Sequence, residues 1–173
     1  NYRLDALKVI YNKLGEEITS SKSTLEAALE ISQTLNADLA ATVSWVNAVS
    51  NDLDQIEATP SNDRDINAEL TFVKETLEEW EKQHNTKDRI DQGYNKFITL
   101  CDPSFLESLR ERMNDAFNKF ENLNSRLRKT LELLEEVRKT NETKNKEKDV
   151  VKMSENIEQK SAPSGKDIPT ISV

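Results

Sequence analysis

A chain of 173 residues with 35% apolar and 32% charged content has material for one modest core and little more. Three glycines and four prolines leave almost no punctuation, which disfavours a turn-rich β fold and suits long helices. A net charge of −8 argues against general affinity for nucleic acid, Cys101 as the single cysteine rules out an internal disulfide framework and fits a reducing cytosol, and no apolar run is long enough to span a membrane.

The first 56 residues carry one hydrophobic phase. It runs Leu4, Leu7, Tyr11, Leu14, Ile18, Ser21, Leu25, Ala28, Ser32, Leu35, Leu39, Thr42, Val46, Val49, Leu53, Ile56. Alternating steps of three and four keep these positions on one slowly supercoiling seam of an α-helix. No proline precedes Pro60, and Gly15 is the only glycine in the stretch. One helix from about Leu4 to Ile56 is therefore expected, too long for a single small globule. It should be shared between two packing units, with the joint near Ser21 to Ser32, where the apolar content thins.

Ala58-Thr59-Pro60-Ser61-Asn62-Asp63 then reads as a loop that hands over to a second helix, since proline removes a donor and Ser, Asn and Asp cap helix starts. The second seam is Ile66, Leu70, Val73, Leu77, Trp80, then His84, Lys87 and Asp91, then Tyr94, Ile98 and Cys101. Its middle is polar. Ile90 and Phe97 lie one position off, which predicts that the core changes sides near Lys87, and Gly93 predicts a weak middle to this helix.

Asp102-Pro103-Ser104 is the second corner. Either Asp102 caps with Pro103 at the first helical position, or Ser104 and Glu107 form a capping box. The third seam reads Leu106, Leu109, Met113, Ala116, Phe120, Leu123, Leu127, Thr130, Leu134, Val137, widened by Phe117 and Leu131. From Arg138 onward the pattern dissolves, so residues 139–173 are expected to be a frayed helix end and a disordered tail or linker.

Three heptad helices, the first continuing from an upstream one, resemble the spectrin repeat. Leu39 to Val46, with Trp45 inside it, looks like that family's first-helix Leu/Trp signature. Gln83-His84 after Trp80 resembles the Lys-His segment of its second helix, and Phe120-Glu121-Asn122-Leu123 sits where its third helix has Trp-x-x-Leu. Tyr11-Asn12-Lys13-Leu14 echoes the same motif one repeat earlier. Phe120 and Tyr11 replace the usual tryptophans, and Lys87 stands where the family often has an apolar residue.

The resemblance implies an all-α fold: a left-handed three-helix coiled-coil bundle with a long helix continuous from a preceding repeat. Residues 1–31 would be the last helix of that preceding repeat, 32–138 a complete repeat and 139–173 the tail. The chain, opening on Asn1, is expected to be a piece of a longer polypeptide, and its acidic character looks more like nesprins, dystrophin relatives and plakins than spectrin itself. The implied role is a structural spacer in a cytoskeletal rod, transmitting tension between terminal binding domains. The alternative is a helical interaction module docking actin or a scaffold partner. Implied partners are neighbouring repeats of the same chain and actin or other cytoskeletal proteins. The segment would be cytoplasmic, tethered at the nuclear envelope or cell cortex through other parts of its parent, with no membrane insertion of its own.

No enzyme is expected, and no catalytic residue, metal or cofactor is nominated. His84 is the only histidine, so a His-based metal cluster is impossible, and it reads as a half-buried polar residue in a seam. Cys101 reads as a small buried hydrophobe at a helix end, and Trp45 and Trp80 as core. The Arg126–Lys148 stretch interleaves Lys and Arg with Glu, as a solvated helix face does. Ile171-Ser172-Val173 has the form a PDZ groove accepts by strand addition, if Val173 is the true C-terminus.

Overall fold

The computed structural model describes residues 1–60, 63–161, 165 and 170–172. Among them are three α-helices and no strand: α1 (Tyr2–Ala58), α2 (Ile66–Phe97) and α3 (Leu106–Lys160), with a short 3-10 turn at Pro103–Phe105 before α3. α1 is unbroken over 57 residues, about 85 Å at 1.5 Å per residue. The three helices contact one another pairwise and form an antiparallel up-down-up bundle.

The seams pack as their spacing dictates. On α1, Ala28, Leu35, Leu39, Thr42, Val46, Val49 and Leu53 are buried, with Ser32 and Ile56 half-buried. On α3, Leu106, Met113, Ala116, Phe120, Leu123, Leu127, Thr130 and Leu134 are buried. Val137, the last position of that seam, is instead 41% exposed, because it stands past the end of the layer it would face. On α2 the change of side is real: Trp80 and Ile90 are buried, His84 and Lys87 between them are half-buried, and Asp91 is exposed. Ile98, expected on the same seam, is 40% exposed, because α2 ends at Phe97 and the chain leaves the helix axis there.

The corners are local hydrogen-bonding devices. Asp65 caps α2, its Oδ1 accepting from the Ala68 backbone N–H at 3.1 Å. Arg64 beside it donates to the Glu69 carboxylate at 2.8 Å, with both side chains mostly buried. The loop reading over residues 58–63 holds at Thr59 and Pro60, while Ser61 and Asn62 lie outside the described residues. At the second corner Asp102 Oδ1 accepts from both the backbone N–H (2.8 Å) and the hydroxyl (2.7 Å) of Ser104, with Pro103 opening the 3-10 turn. The capping box does not form: Ser104 is occupied by Asp102, and α3 starts at Leu106 with no side-chain cap.

Both outer helices outrun the bundle, at opposite ends. No residue from Asn1 to Ala27 is buried, and Ala28 is the first to be covered. α3 continues to Lys160, 22 residues beyond the fraying point expected at Arg138, and residues 139–160 are all exposed. Sequence pattern marks burial, and there is none here. The helix persists on Lys- and Glu-rich propensity and on local pairs such as Arg138–Glu142 (3.8 Å).

Candidate functional site

Among the described residues no group of three or more His, Cys, Asp or Glu is placed to hold a metal ion, and no helix is long and apolar enough to cross a membrane. The residues singled out in the sequence fall into the packing instead. Trp80 is buried, stacks on Phe120 with centroids 4.7 Å apart and donates its indole N–H to the Phe120 carbonyl oxygen at 2.9 Å. Trp45 is half-buried with its ring 6.2 Å from that of Phe120. The three aromatics thus meet inside one bundle. His84 lies 4.5 Å from the Trp80 ring and 5.6 Å from the Phe120 ring, and its Nδ1 is buried without a hydrogen-bond partner. Cys101 is half-buried in the turn after α2. Ile171 is exposed, and Val173 lies outside the described residues.

Charged side chains stitch the helices. Arg89 grips Asp38 through two bonds, Nε to Oδ2 at 2.7 Å and Nη2 to Oδ1 at 2.8 Å, joining α2 to α1. The Arg89 hydrogen bond holds the Asp38 carboxyl below its ordinary range, burial pushes the other way, and the guanidinium charge adds to the lowering. Arg126 on α3 donates to Glu57 at 3.1 Å, to Asp54 and to the Ser50 carbonyl on α1, and the first two bonds raise its pKa. Lys74–Glu135 and Lys87–Glu121, each 3.3 Å, join α2 to α3. Sequence spacing had no means of finding these contacts, since their partners lie 34 to 76 residues apart. They fix register more than they add stability, because most are half-exposed.

The largest feature without a partner is the leading half of α1. Leu4, Leu7, Tyr11, Leu14, Ile18 and Leu25 continue the covered seam of the bundle outward, and each is more than half exposed. A contiguous apolar stripe of this length is uncommon on a monomer surface and marks a surface built to be covered. On the bundle itself the two most exposed large apolar residues described, Phe105 (78%) and Leu133 (62%), stand far apart in sequence.

No family model matches the chain, and no solved structure gives a significant match. Curated relatives do match, utrophin and dystrophin among them. Utrophin from Rattus norvegicus is 30% identical over 81 residues, 47% of this chain and 2% of that protein. Dystrophin, isoforms A/C/F/G/H, from Drosophila melanogaster is 30% identical over 112 residues, 65% of this chain and 3% of that protein. The chain therefore spans only a few hundredths of the length of the relatives it matches.

Proposed function

We propose that this all-helical chain, homologous to stretches of utrophin and dystrophin and fitting the spectrin-repeat superfamily, is a spacer segment of a cytoskeletal rod. In this reading residues 1–31 are the last helix of a preceding repeat, 32–138 are one complete repeat, and 139–173 are a linker whose first part is helical. The relatedness supports a cytoskeletal segment of spectrin-repeat type.

One observation carries the finer reading: a single seam on α1 is covered from Ala28 onward and bare from Leu4 to Leu25, with no break in the helix between. Two further helices packed on residues 1–27 would cover it, and the shared helix would then couple the stability of two neighbouring bundles. Load passes along α1 and α3, whose free ends leave the bundle in opposite directions. The partners this role needs are neighbouring repeats. Binding to actin, and tethering at the nuclear envelope or cell cortex, would belong to other parts of a longer parent protein.

Each apolar side chain left bare on the stripe forgoes about 1.5–3 kcal/mol of burial. The chain alone should therefore self-associate through its N-terminal third. Sedimentation of the full chain and of a version starting near residue 28 tests this. The spacer reading expects concentration-dependent association of the first and a monomer for the second. A full chain that sediments as a monomer with residues 1–27 protected by its own bundle would favour a self-contained interaction module instead.

A further inference from the structure

We propose that this bundle opens in two stages, the half nearest the α1 extension unfolding while the half around Trp80 and Phe120 stays folded. The buried apolar residues fall in two clusters along the bundle. One buried cluster comprises Leu35, Leu39, Ile90, Met113 and Ala116, flanked by the half-buried Tyr94 and Phe97. The other gathers Val46, Val49, Leu53, Leu70, Val73, Trp80, Phe120, Leu123, Leu127 and Leu134.

Between the two, α3 stays apolar through Ala116 and Phe120, while α1 and α2 place polar groups in the seam. On α1 it is Thr42, buried, its hydroxyl bonded back to the Asp38 carbonyl at 2.9 Å. The Arg89–Asp38 pair sets the antiparallel register of α1 and α2, which puts Thr42 about level with His84. On α2 the groups are His84, with its orphaned Nδ1, and Lys87. Lys87 Nζ sits 5.3 Å over the Phe117 ring and 3.3 Å from Glu121 of α3. Exposing polar groups to water costs less than exposing an apolar layer, so opening is least opposed at this level.

The two halves are unequal. The cluster near the extension holds half as many buried apolar residues as the other among the described residues, and its aromatics are only half-buried. Its stretch of α2 contains Gly93, a poor residue for a helix interior. Its far end is closed by the turn after α2, where Ile98 and Phe105 face solvent. The other half has the indole–carbonyl bond and the aromatic stack. Local stability follows buried apolar contact, so the smaller cluster opens first. A half-open bundle would lengthen the molecule without losing its fold, and this property of the chain stands whether or not the spacer reading does.

Residue-resolved amide exchange on the full chain, across a series of sub-denaturing urea concentrations, tests the proposal. The amides of Leu35, Leu39, Ile90 and Met113 should be protected at least about tenfold less than those of Leu53, Val73, Leu123 and Leu127, with a shallower urea dependence. Leu53→Ala should lower protection in the second set by roughly tenfold or more and close its gap to the first, because Leu53 stays packed when the first half opens, while Leu39→Ala should lower both sets, because its half is open in either state. A common protection and a common urea slope in the unsubstituted chain would overturn the proposal. So would Leu53→Ala lowering the first set as much as the second.

Discussion

Trp80 meets Phe120 twice: ring against ring at 4.7 Å with planes 17° apart, and indole N–H to main-chain carbonyl at 2.9 Å. The stack sets the spacing of α2 and α3, and the hydrogen bond ties their axial register at one carbonyl. A buried indole N–H left unpaired would cost about 1–3 kcal/mol, so the bond also makes this tryptophan tolerable in the core. Phe120→Ala should cost about 3–5 kcal/mol, as for other buried aromatics. Trp80→Phe keeps the stack and loses the bond, and should cost less than Phe120→Ala. Urea midpoints of the two variants rank them. A smaller loss for Phe120→Ala would mean the register bond, and not the stack, dominates this contact.

The two helical glycines make opposite predictions. A methyl at Gly93 would sit 3.0 Å from Leu35 Cδ2 and 3.4 Å from Cγ, so α1 and α2 approach closely there because the side chain is missing. Around Gly15 nothing lies within 4 Å. Gly15→Ala should therefore add up to about 1 kcal/mol of helix propensity to the extension, seen as stronger helical circular dichroism. Gly93→Ala gains the same propensity and loses it against Leu35, whereas Gly93→Val overpacks and should cost about 1–3 kcal/mol. Thermal melts that show Gly93→Val as stable as the parent would mean that the interface between α1 and α2 is looser than its geometry.

Asp38 gives a pH signature. Its carboxyl is held below the ordinary value of about 3.9 in the folded chain. A depressed folded-state pKa contributes stability that is present above the unfolded value and lost as pH falls through the folded one. Arg89 is 58% exposed, so water screens the pair and its worth at neutral pH is at most about 1 kcal/mol. Asp38→Asn should thus lower the urea midpoint slightly at neutral pH, and the gap should close in acid below about pH 4. A gap that widens in acid would reverse the sign and remove Arg89 as the cause.

How much of this was legible in the sequence depended on the kind of force. Every α1 seam position from Ala28 to Ile56 is buried or half-buried, because three-four spacing specifies a face and burial rewards it directly. The switch of side on α2 was legible in Ile90 and Phe97 for the same reason. Periodicity cannot see where a layer ends in space, which is why Val137 and Ile98 read as seam residues and stand exposed. Nor can it see contacts across chain distance. The Trp80–Phe120 hydrogen bond joins residues 40 apart and has no local signal. Thr76, also buried, hides its hydroxyl by donating to the Phe72 carbonyl at 2.7 Å, a device invisible to a hydrophobic pattern.

Ser21 lies on the part of α1 that no other helix touches, and a proline there separates the helix from the bundle. It would remove one backbone bond and clash with the preceding turn, at about 3 kcal/mol or more of local helix stability. Because the covered seam begins only at Ala28, Ser21→Pro should reduce helical circular dichroism and leave the cooperative melt of this chain nearly unchanged. In a longer protein with helices covering residues 1–27, the same substitution should uncouple the melting of the two units. A bundle that melts much earlier with Ser21→Pro in this chain would mean that its stability already draws on the extension.

The extension of α3 tests whether helix and fold are separate here. Residues 139–160 are helical from end to end, yet Val150, Val151, Met153 and Ile157 are all more than half exposed, and no other element covers them. An isolated helix of this length is marginal in water, since nucleation is costly and only local pairs oppose it. These amides should exchange as fast as a fraying helix, far faster than those of Leu123 or Leu127, although both stretches belong to one continuous helix. Ending the chain after Asn141 should leave the melting temperature almost unchanged, because no tertiary contact is lost. It should also abolish rapid proteolysis beyond Lys139. Protection of residues 150–157 in the monomeric chain, or a clear drop in melting temperature on truncation, would mean that this stretch packs against something. The bundle would then extend further along α3 than Leu134.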